Sequence, residues 1–272
     1  MSNSNRTDAI TNGWSRLALV VEYEGTRYRG FQWQRGLPTI QGELEKALEK
    51  LTGRKTRVAG ASRTDSGVHA RGQVVSFRTE SKLPPETFVA GLNYYLGQDI
   101  AVERAFQASD DFDVRRWASS RQYRYSILNR REPSPLQRDY THQVREPLDV
   151  EAMDAAARGL IGTHDFASFA MSQEMNGGST VRNVINARVT RDGDVVFFDV
   201  EANAFLQQQV RRTAGALVGV GTGKVSIEEF EKLMEAKTPG VVGSTLPAKG
   251  LCLVRVNYPE SIFDNGNIDK NL

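Results

Sequence analysis

Apolar residues along the chain recur at two spacings, and each spacing predicts a regular element. A spacing of two marks a strand with one buried face, whereas spacings of three and four mark an amphipathic helix. From residue 16 to residue 106 these patterns predict strand, helix, two strands, helix and strand in that order. This is the order of the split β-α-β-β-α-β arrangement of ferredoxin-like folds.

The first helix has the clearest predicted boundaries. Thr39 is an N-cap residue, and Gly53 ends the helix. Its apolar face consists of Ile40, Leu44, Ala47, Leu48 and Leu51. The other predicted elements of this half are strands at 16–23, 57–60, 73–77 and 100–106, and a helix from Pro84-Pro85 to about residue 96.

The second half of the chain repeats this order without residue-level identity to the first. Its long helix is predicted from about residue 203 to residue 220, and Ser226 with Glu229 forms a capping box for a short extra helix. The other predicted elements are a strand at 122–128, a helix from Asp149 with Val150, Met153, Ala157, Leu160 and Ile161 inward, a hairpin of 184–191 with 194–200, and a strand at 251–256.

The sequence therefore predicts an α+β fold of two ferredoxin-like halves, whose antiparallel sheets join about a central cleft. The first half is expected at residues 14–108 and the second at 109–260, with tails at 1–13 and 261–272. A loop rich in serine and glycine, residues 168–182, is expected to be mobile.

Composition narrows the class of protein. Apolar residues make up 39% and charged residues 25% of the chain, as in soluble globular proteins. The polar start predicts no signal peptide, and no stretch approaches the roughly 18 apolar residues of a membrane span. The single cysteine, Cys252, excludes an internal disulfide and favours a reducing cytoplasm. Cys252 itself is expected to be a small core residue.

Neither a metal nor a nucleotide cofactor is predicted. One cysteine and three histidines, far apart in sequence, do not provide the ligand spacing of a zinc site. The glycine-rich stretch 219–224 resembles a phosphate-binding loop, but Val218 and Val225 occupy positions that require glycine and serine or threonine. This stretch is instead expected to be the end of a helix and a turn.

Asp65 is the first candidate for chemistry, because it is the only carboxylate between Glu49 and Glu80. Positive neighbours favour the ionised form of a carboxylate, and they are also where a polyanion would dock. Asp65 is thus a candidate reactive group, although Thr-Asp-Ser-Gly also suits an ordinary turn. Its basic sequence neighbours are Arg54, Lys55, Arg57, Arg63, Arg71 and Arg78.

Residues 115–131 contain a second basic cluster. Because the formal net charge of the chain is only +2, binding of a polyanion requires positive charges to be clustered locally. Tyr123 and Tyr125 are predicted on one face of a strand and Arg124 on the other. Cations for phosphates and rings for unstacked bases suit nucleic acid, but a strand packing tyrosines into a core explains the pattern equally well. The cluster comprises Arg115, Arg116, Arg121, Arg124, Arg130 and Arg131, with no acidic residue from 115 to 131.

The long helix carries two adjacent arginines that its periodicity distinguishes. Arg211 falls roughly 100° from the centre of the apolar face and Arg212 roughly 160°. Arg211 therefore borders the buried side, where an arginine usually pairs with an acid or acts in a cleft, and Arg212 is expected to point to solvent. The apolar face is defined by Leu206, Val210, Ala214 and Leu217.

Residues 60–70, Gly-Ala-Ser-Arg-Thr-Asp-Ser-Gly-Val-His-Ala, resemble the active-site signature of the tRNA pseudouridine synthase I family. The resemblance covers about residues 15–258. Departures are Ser62 in place of a frequent glycine, Gln207-Gln208-Gln209 in place of histidine or aromatic residues, and Arg212 in place of asparagine. Further matching segments are 23–34, 39–44, 121–125, 203–206 with 210–211, and 250–254.

The resemblance implies conversion of uridine to pseudouridine at positions 38, 39 and 40 in the anticodon arm of tRNA. The reaction requires no electrons, ATP, metal or other cofactor. Asp65 would be catalytic, either attacking the ribose or taking a proton from it. Tyr123 would stack near the base and serve as general base for the C5 proton, and Arg211 would pair with Asp65.

The resemblance also implies tRNA as the partner and a homodimer as the assembly. Arg63 would contact phosphate or hold the base extruded from the stem, and Tyr125, Arg121 and Arg124 would contact the substrate. A non-catalytic RNA-binding protein of ferredoxin-like fold is the main alternative, but it would not require Asp65 among arginines. A structural protein with a duplicated fold would leave the basic clusters unexplained.

Overall fold

The computed structural model describes residues 13–170, 178–243 and 245–259. Within these residues, ten strands form one mostly antiparallel sheet, and five α-helices accompany it. The predicted α+β class is confirmed at this level. The strands are β1 (Ser15–Tyr23), β2 (Ala59–Gly60), β3 (His69–Thr79), β4 (Ile100–Ala108), β5 (Ser120–Asn129), β6 (His142–Val144), β7 (Gly162–Asp165), β8 (Val181–Asp192), β9 (Val195–Ala202) and β10 (Leu251–Asn257). The helices are α1 (Ile40–Thr52), α2 (Pro85–Tyr95), α3 (Val150–Arg158), α4 (Gln209–Gly221) and α5 (Ile227–Glu235).

The strand order of the sheet is β4-β1-β3-β10-β5-β9-β8-β7, with β2 paired to β3 and β6 to β5. The last strand in sequence, β10, thus lies between β3 of the first half and β5 of the second. It pairs with β3 in parallel, Cys252 opposite His69 and Leu253 opposite Ala70, and with β5 antiparallel. Both halves of the chain therefore belong to one sheet, joined by a short parallel contact.

Local signals account for the elements whose bounds were predicted correctly. Thr39 accepts a hydrogen bond from the Gly42 N–H at 3.2 Å, which satisfies an otherwise unpaired donor at the start of α1. Gly53 ends the helix in the left-handed conformation, at a φ of 71°. The capping box of Ser226 and Glu229 is also present at the start of α5. These predictions are confirmed.

The predicted start of the long helix is wrong by six residues. Gln208 adopts a left-handed conformation, with φ 58° and ψ 3°, and α4 begins only at Gln209. Residues 203–208 are therefore an irregular segment, because a left-handed residue interrupts the helical hydrogen-bond ladder. Leu206 donates its N–H to the side-chain oxygen of Gln209 instead.

Two further predictions in the second half need correction. Helix α3 ends at Arg158, so Ile161 lies beyond it and is 44% exposed rather than inward. The supposed loop 168–182 begins inside a buried 3-10 turn, Ala167–Phe169, and ends inside β8. Its central part, residues 171–177, lies outside the described residues. None of the described helices is long and apolar enough to cross a membrane.

A single glycine allows β10 to approach β3. A Cβ atom added at Gly72 would lie 2.6 Å from the carbonyl oxygen of Val254 and 3.3 Å from the Cα of Arg255. Both are backbone atoms of β10, which cannot move without shifting the strand. The junction between the two halves therefore depends on the absence of a side chain at this position.

We expect Gly72→Ala to destabilise the protein by about 1–3 kcal/mol, the usual cost of overpacking a close contact. At this chain size, each kcal/mol lost lowers the melting temperature by about 2–4 °C. Thermal unfolding followed by circular dichroism measures the change. The control is Gly178→Ala, because a Cβ atom there meets nothing within 4 Å. Equal melting temperatures for the two variants would contradict the close approach.

Candidate active site

A cleft of about 1330 Å³ lies where segments from both halves of the chain meet. Its lining includes Asp65 and Arg63 from the loop before β3, Tyr123 from β5, and Arg211 from α4. Residues predicted from separate parts of the sequence are thus brought to one cavity. Its other lining residues lie within the segments 29–37, 61–68, 113–121 and 204–210, together with Leu251.

The loop that carries Asp65 is held by the segment just after β1. The carbonyl oxygen of Tyr28 accepts hydrogen bonds from the Gly67 N–H and from the Ser66 hydroxyl. A Cβ atom at Gly30 would lie 2.8 Å from the carbonyl oxygen of Thr64, and Gly30 has a φ of 89°. Glycine at position 30 therefore permits both the turn and the close packing of these two loops.

A buried amide beneath the loop orients the residues that precede Asp65. The side chain of Gln73 accepts from the Ser62 N–H at 3.1 Å and donates to the Ser62 carbonyl at 2.7 Å. It also lies 3.4 Å from the Tyr23 hydroxyl, which is 2.8 Å from the Thr64 hydroxyl. Sequence reasoning missed this network, although an amide in line with Val75 and Phe77 on one face of β3 was a signal of a buried polar group.

Asp65 and Arg211, 146 positions apart, form an ion pair in the cleft. Nη1 of Arg211 donates to Oδ2 of Asp65 at 3.2 Å, and Nε donates to the carbonyl oxygen of Leu246 at 2.8 Å. The side chains are only 22% and 14% exposed, so water screens their attraction less than at an open surface. The guanidinium is thereby fixed between the carboxylate and a backbone carbonyl.

Tyr123 contributes a buried hydroxyl to the same cavity. Its oxygen is 2.7 Å from the Ser62 hydroxyl, and its ring lies edge-on to Phe205 at a centroid distance of 5.3 Å. Burial raises the pKa of Tyr123 to about 12, and the charge of Asp65 adds to this shift. The phenol is therefore neutral at neutral pH.

Several arginines give the cleft its positive charge. Arg63 lines it together with Arg29, Arg115, Arg116 and Arg121. Arg121 donates to four backbone carbonyls and so ties together segments that surround the cleft. The acceptors are the carbonyl oxygens of Ala61, Arg115, Ala118 and Asn203.

The structure does not bring two of the predicted substrate contacts to the cleft. Tyr125 is fully buried, and its hydroxyl donates to the carbonyl oxygen of Pro247 at 2.8 Å. Arg124 makes two hydrogen bonds to Asp199, at 2.7 and 3.0 Å, and stacks on Phe197. It projects to the opposite side of β5, because successive side chains of a strand alternate. Their contacts therefore give no support to a substrate role.

Several arginines of the two basic clusters pair in the structure with carboxylates that are distant in sequence. Arg54 pairs with Glu80, and Arg57 with Glu45. The second cluster divides as well, because Arg130 pairs with Asp194 from the adjoining hairpin.

Arg212 does not point freely to solvent as predicted. Its Nη1 donates to the carbonyl oxygen of Val242 at 3.1 Å, and the residue is half-buried. The reason is that the backbone carbonyls of Val242 and Leu246 lie beside the first turn of α4, so that each of the two adjacent arginines meets one of them. The two differ in that Arg211 also reaches Asp65.

The histidines show no arrangement for metal binding. Nδ1 of His69 accepts from the Gly25 N–H at 3.1 Å, and its Nε2 faces the carbonyl oxygens of Asp139 and Lys249. His69 thus has structural partners on both ring nitrogens. Across the described residues, no three or more His, Cys, Asp or Glu side chains are grouped as a metal would require.

Comparison with known proteins defines the class of this site. The family described as tRNA pseudouridine synthase matches residues 19–115 and 156–259, and the chain therefore belongs to this family. Its members are isomerases that act on uridine in tRNA, so the predicted enzyme class is confirmed.

Individual relatives cover nearly the whole chain. The tRNA pseudouridine synthase A of Myxococcus xanthus is 44% identical over 244 residues, which are 89% of this chain and 92% of the relative. That of Roseiflexus sp. (strain RS-1) is 44% identical over 248 residues, 90% of this chain and 91% of the relative. That of Thermoanaerobacter sp. (strain X514) is 40% identical over 240 residues, 88% and 98% respectively.

The two adjacent arginines of α4 provide a matched test of the site. Arg211→Lys is expected to lower turnover at saturating tRNA at least a hundredfold, because lysine cannot contact Asp65 and the Leu246 carbonyl in the same fork. Arg212→Lys removes the same group one position away and is expected to cost less than about fivefold. Melting temperatures of both variants control for folding. Greater damage from Arg212→Lys at equal stability would show that Asp65 depends on another partner.

Proposed function

We propose that the chain converts uridine to pseudouridine at positions 38, 39 and 40 of the anticodon arm of tRNA, with Asp65 as the catalytic group. The observation that carries this proposal is the ion pair of Asp65 with Arg211 inside an arginine-lined cleft. Membership of the tRNA pseudouridine synthase family supports the substrate class. The three positions rest on the sequence resemblance.

The reaction breaks the glycosidic bond between N1 and C1′, turns the uracil, and joins C5 to C1′. C5 then loses its proton and N1 takes one up, so that the product is a neutral isomer of uridine and no electron is gained or lost overall. Asp65 either attacks the ribose or takes a proton from it, and both routes require an ionised carboxylate. Arg211 holds Oδ2, and we assign Oδ1 to the ribose.

The cleft also suits a base that has left its stack. A uridine inside a stem must be extruded before its ribose can reach a carboxylate, which costs a few kcal/mol. We assign Arg63, which lies two positions before Asp65 and lines the same cleft, to the extruded nucleotide or its phosphate. Arg29, Arg115 and Arg116 line the same cleft and are assigned to phosphates, contacts that position an RNA arm without reading its sequence.

Tyr123 is assigned to the last step, the removal of the C5 proton. Its hydroxyl lies in the cleft that contains Asp65, and its ring is held by Phe205. Because the phenol is neutral, its oxygen can accept the C5 proton only if its own proton moves away in the same step.

We also propose that each half of the chain is a ferredoxin-like unit, residues 14–108 and 109–260. The strand order β4-β1-β3, with β2 on β3, and the order β10-β5-β9-β8 support this division. The cleft would then lie between two copies of one architecture. The homodimer implied by the resemblance remains a proposal, which sedimentation of the purified protein tests.

Asp65→Asn is expected to abolish turnover while tRNA affinity stays the same or rises. The amide keeps the shape of the side chain, but it is neither a nucleophile nor a base, and it removes a negative charge from a site that binds a polyanion. Pseudouridine formed in a tRNA transcript measures turnover, and filter binding measures affinity. Residual activity above about a hundredth of the unmodified rate would contradict the catalytic role.

Tyr123→Phe is expected to bind tRNA normally but to stop at the late proton transfer, because only the hydroxyl is lost. Tyr125→Phe is the control on the same strand. It removes a hydroxyl that donates to the Pro247 carbonyl and does not line the cleft. It should cost about 1 kcal/mol of stability and little turnover. Single-turnover rates and melting temperatures of both variants distinguish these effects. Small and equal rate changes would assign Tyr123 to packing.

A further inference from the structure

The hydrogen bond between Ser62 and Tyr123 joins the two halves of the chain inside the cleft. The two hydroxyl oxygens are 2.7 Å apart, and the residues are 61 positions apart in sequence. Both residues line the cavity that contains Asp65. Neither the catalytic role of Asp65 nor the ion pair with Arg211 uses this contact.

The backbone of Ser62 is held by hydrogen bonds to one buried side chain. The buried side chain of Gln73 bonds to both its N–H and its carbonyl oxygen, at 3.1 and 2.7 Å. Gln73 is itself fully buried, so its amide cannot easily exchange these partners for water. With the peptide groups held, the Ser62 hydroxyl is directed at the Tyr123 oxygen.

A neutral phenol beside a hydroxyl has a route for its own proton. A serine hydroxyl can accept one hydrogen bond and donate another at the same time. Ser62 is half-buried and lies on the cavity wall, so its own proton can pass to water in the cleft. The pKa of Tyr123 is lowered by this hydrogen bond and raised more strongly by burial, so the contact favours release of the phenolic proton.

We propose that Ser62 is a positioning residue that relays the phenolic proton of Tyr123 during removal of the C5 proton. The C5–H bond breaks, its electron pair stays in the pyrimidine ring, and the Tyr123 oxygen takes the proton. The original phenolic proton moves to the Ser62 oxygen, and the original Ser62 proton moves to water. Both side chains end as neutral hydroxyls. One proton enters the solvent while N1 of the uracil takes one up, so the nucleoside also remains neutral.

This inference rests on the proposed role of Tyr123, and the experiment is designed to separate the two. The variants are Ser62→Ala, Ser62→Thr, Tyr123→Phe and the double variant Ser62→Ala with Tyr123→Phe. The substrate is a tRNA transcript that carries uridine with either hydrogen or deuterium at C5. Single-turnover rates, tRNA affinity and melting temperature are measured for each variant.

Ser62→Ala is expected to slow single turnover about tenfold, the effect of losing one hydrogen bond of about 1.4 kcal/mol in the transition state. The deuterium isotope effect at C5 should rise, because proton removal becomes more rate-limiting. Affinity for tRNA should change less than twofold, and Ser62→Thr, which retains a hydroxyl, should restore the rate. In the Tyr123→Phe background, Ser62→Ala should have no further effect.

Three results would overturn the relay. If Ser62→Ala leaves the rate and the isotope effect unchanged while Tyr123→Phe strongly lowers the rate, the proposed role of Ser62 is refuted and that of Tyr123 stands. Multiplicative losses in the double variant would show that Ser62 acts through something other than Tyr123. A normal rate for Tyr123→Phe would refute the role of Tyr123 itself, and the relay with it. If Ser62→Ala lowers the melting temperature, the same comparison is made with Ser62→Gly, at a temperature where the variant and the unmodified protein are equally folded.

Discussion

The ion pair between Asp65 and Arg211 is the interaction on which the rest of the site depends. A partly buried carboxylate without a partner costs several kcal/mol, and this one finds its partner in the other half of the chain. The ion pair can therefore form only if the two halves of the chain keep one relative position. Arg211 is held in turn by the Leu246 carbonyl, so its charge remains directed at Asp65 rather than at solvent. A rigid pair of this kind orients the carboxylate before any substrate is present.

Two features keep the halves in that position. The first is the insertion of β10 between β3 and β5, which makes one sheet from strands of both halves. The second is a set of polar contacts across the cleft, in which Arg121 donates to the carbonyl of Ala61 and Tyr123 meets Ser62. The sheet sets the distance between the halves, and the polar contacts set the orientation of the loop that carries Asp65. The geometry of the proposed active site and the stability of the fold thus depend on the same few residues.

The elements governed by local sequence signals were predictable, and those governed by distant contacts were not. Helix α1 carries its own boundaries in Thr39 and Gly53, so its limits follow from the sequence. The pairing of Arg124 with Asp199 depends on which strand lies beside β5, and no spacing rule gives that. The same holds within the site. Charge and motif indicated Asp65 and Arg211, but the contacts of Gln73 and Ser62 required the register of strands and loops from both halves.

The left-handed residue before α4 shows how a local cost can serve the site. A non-glycine residue in this conformation costs roughly 1–2 kcal/mol, and Gln208 adopts it within the wall of the cleft. Because Gln208 is left-handed, α4 begins only at Gln209, and Arg211 lies in the first helical turn, next to the cavity. If the helix began at residue 203, as its apolar periodicity suggested, Arg211 would lie more than two turns after the first residue of the helix. The segment 204–208, which lines the cleft as an irregular segment, would then be helical. The strained residue is therefore part of how the chain brings an arginine from α4 to a carboxylate in the other half.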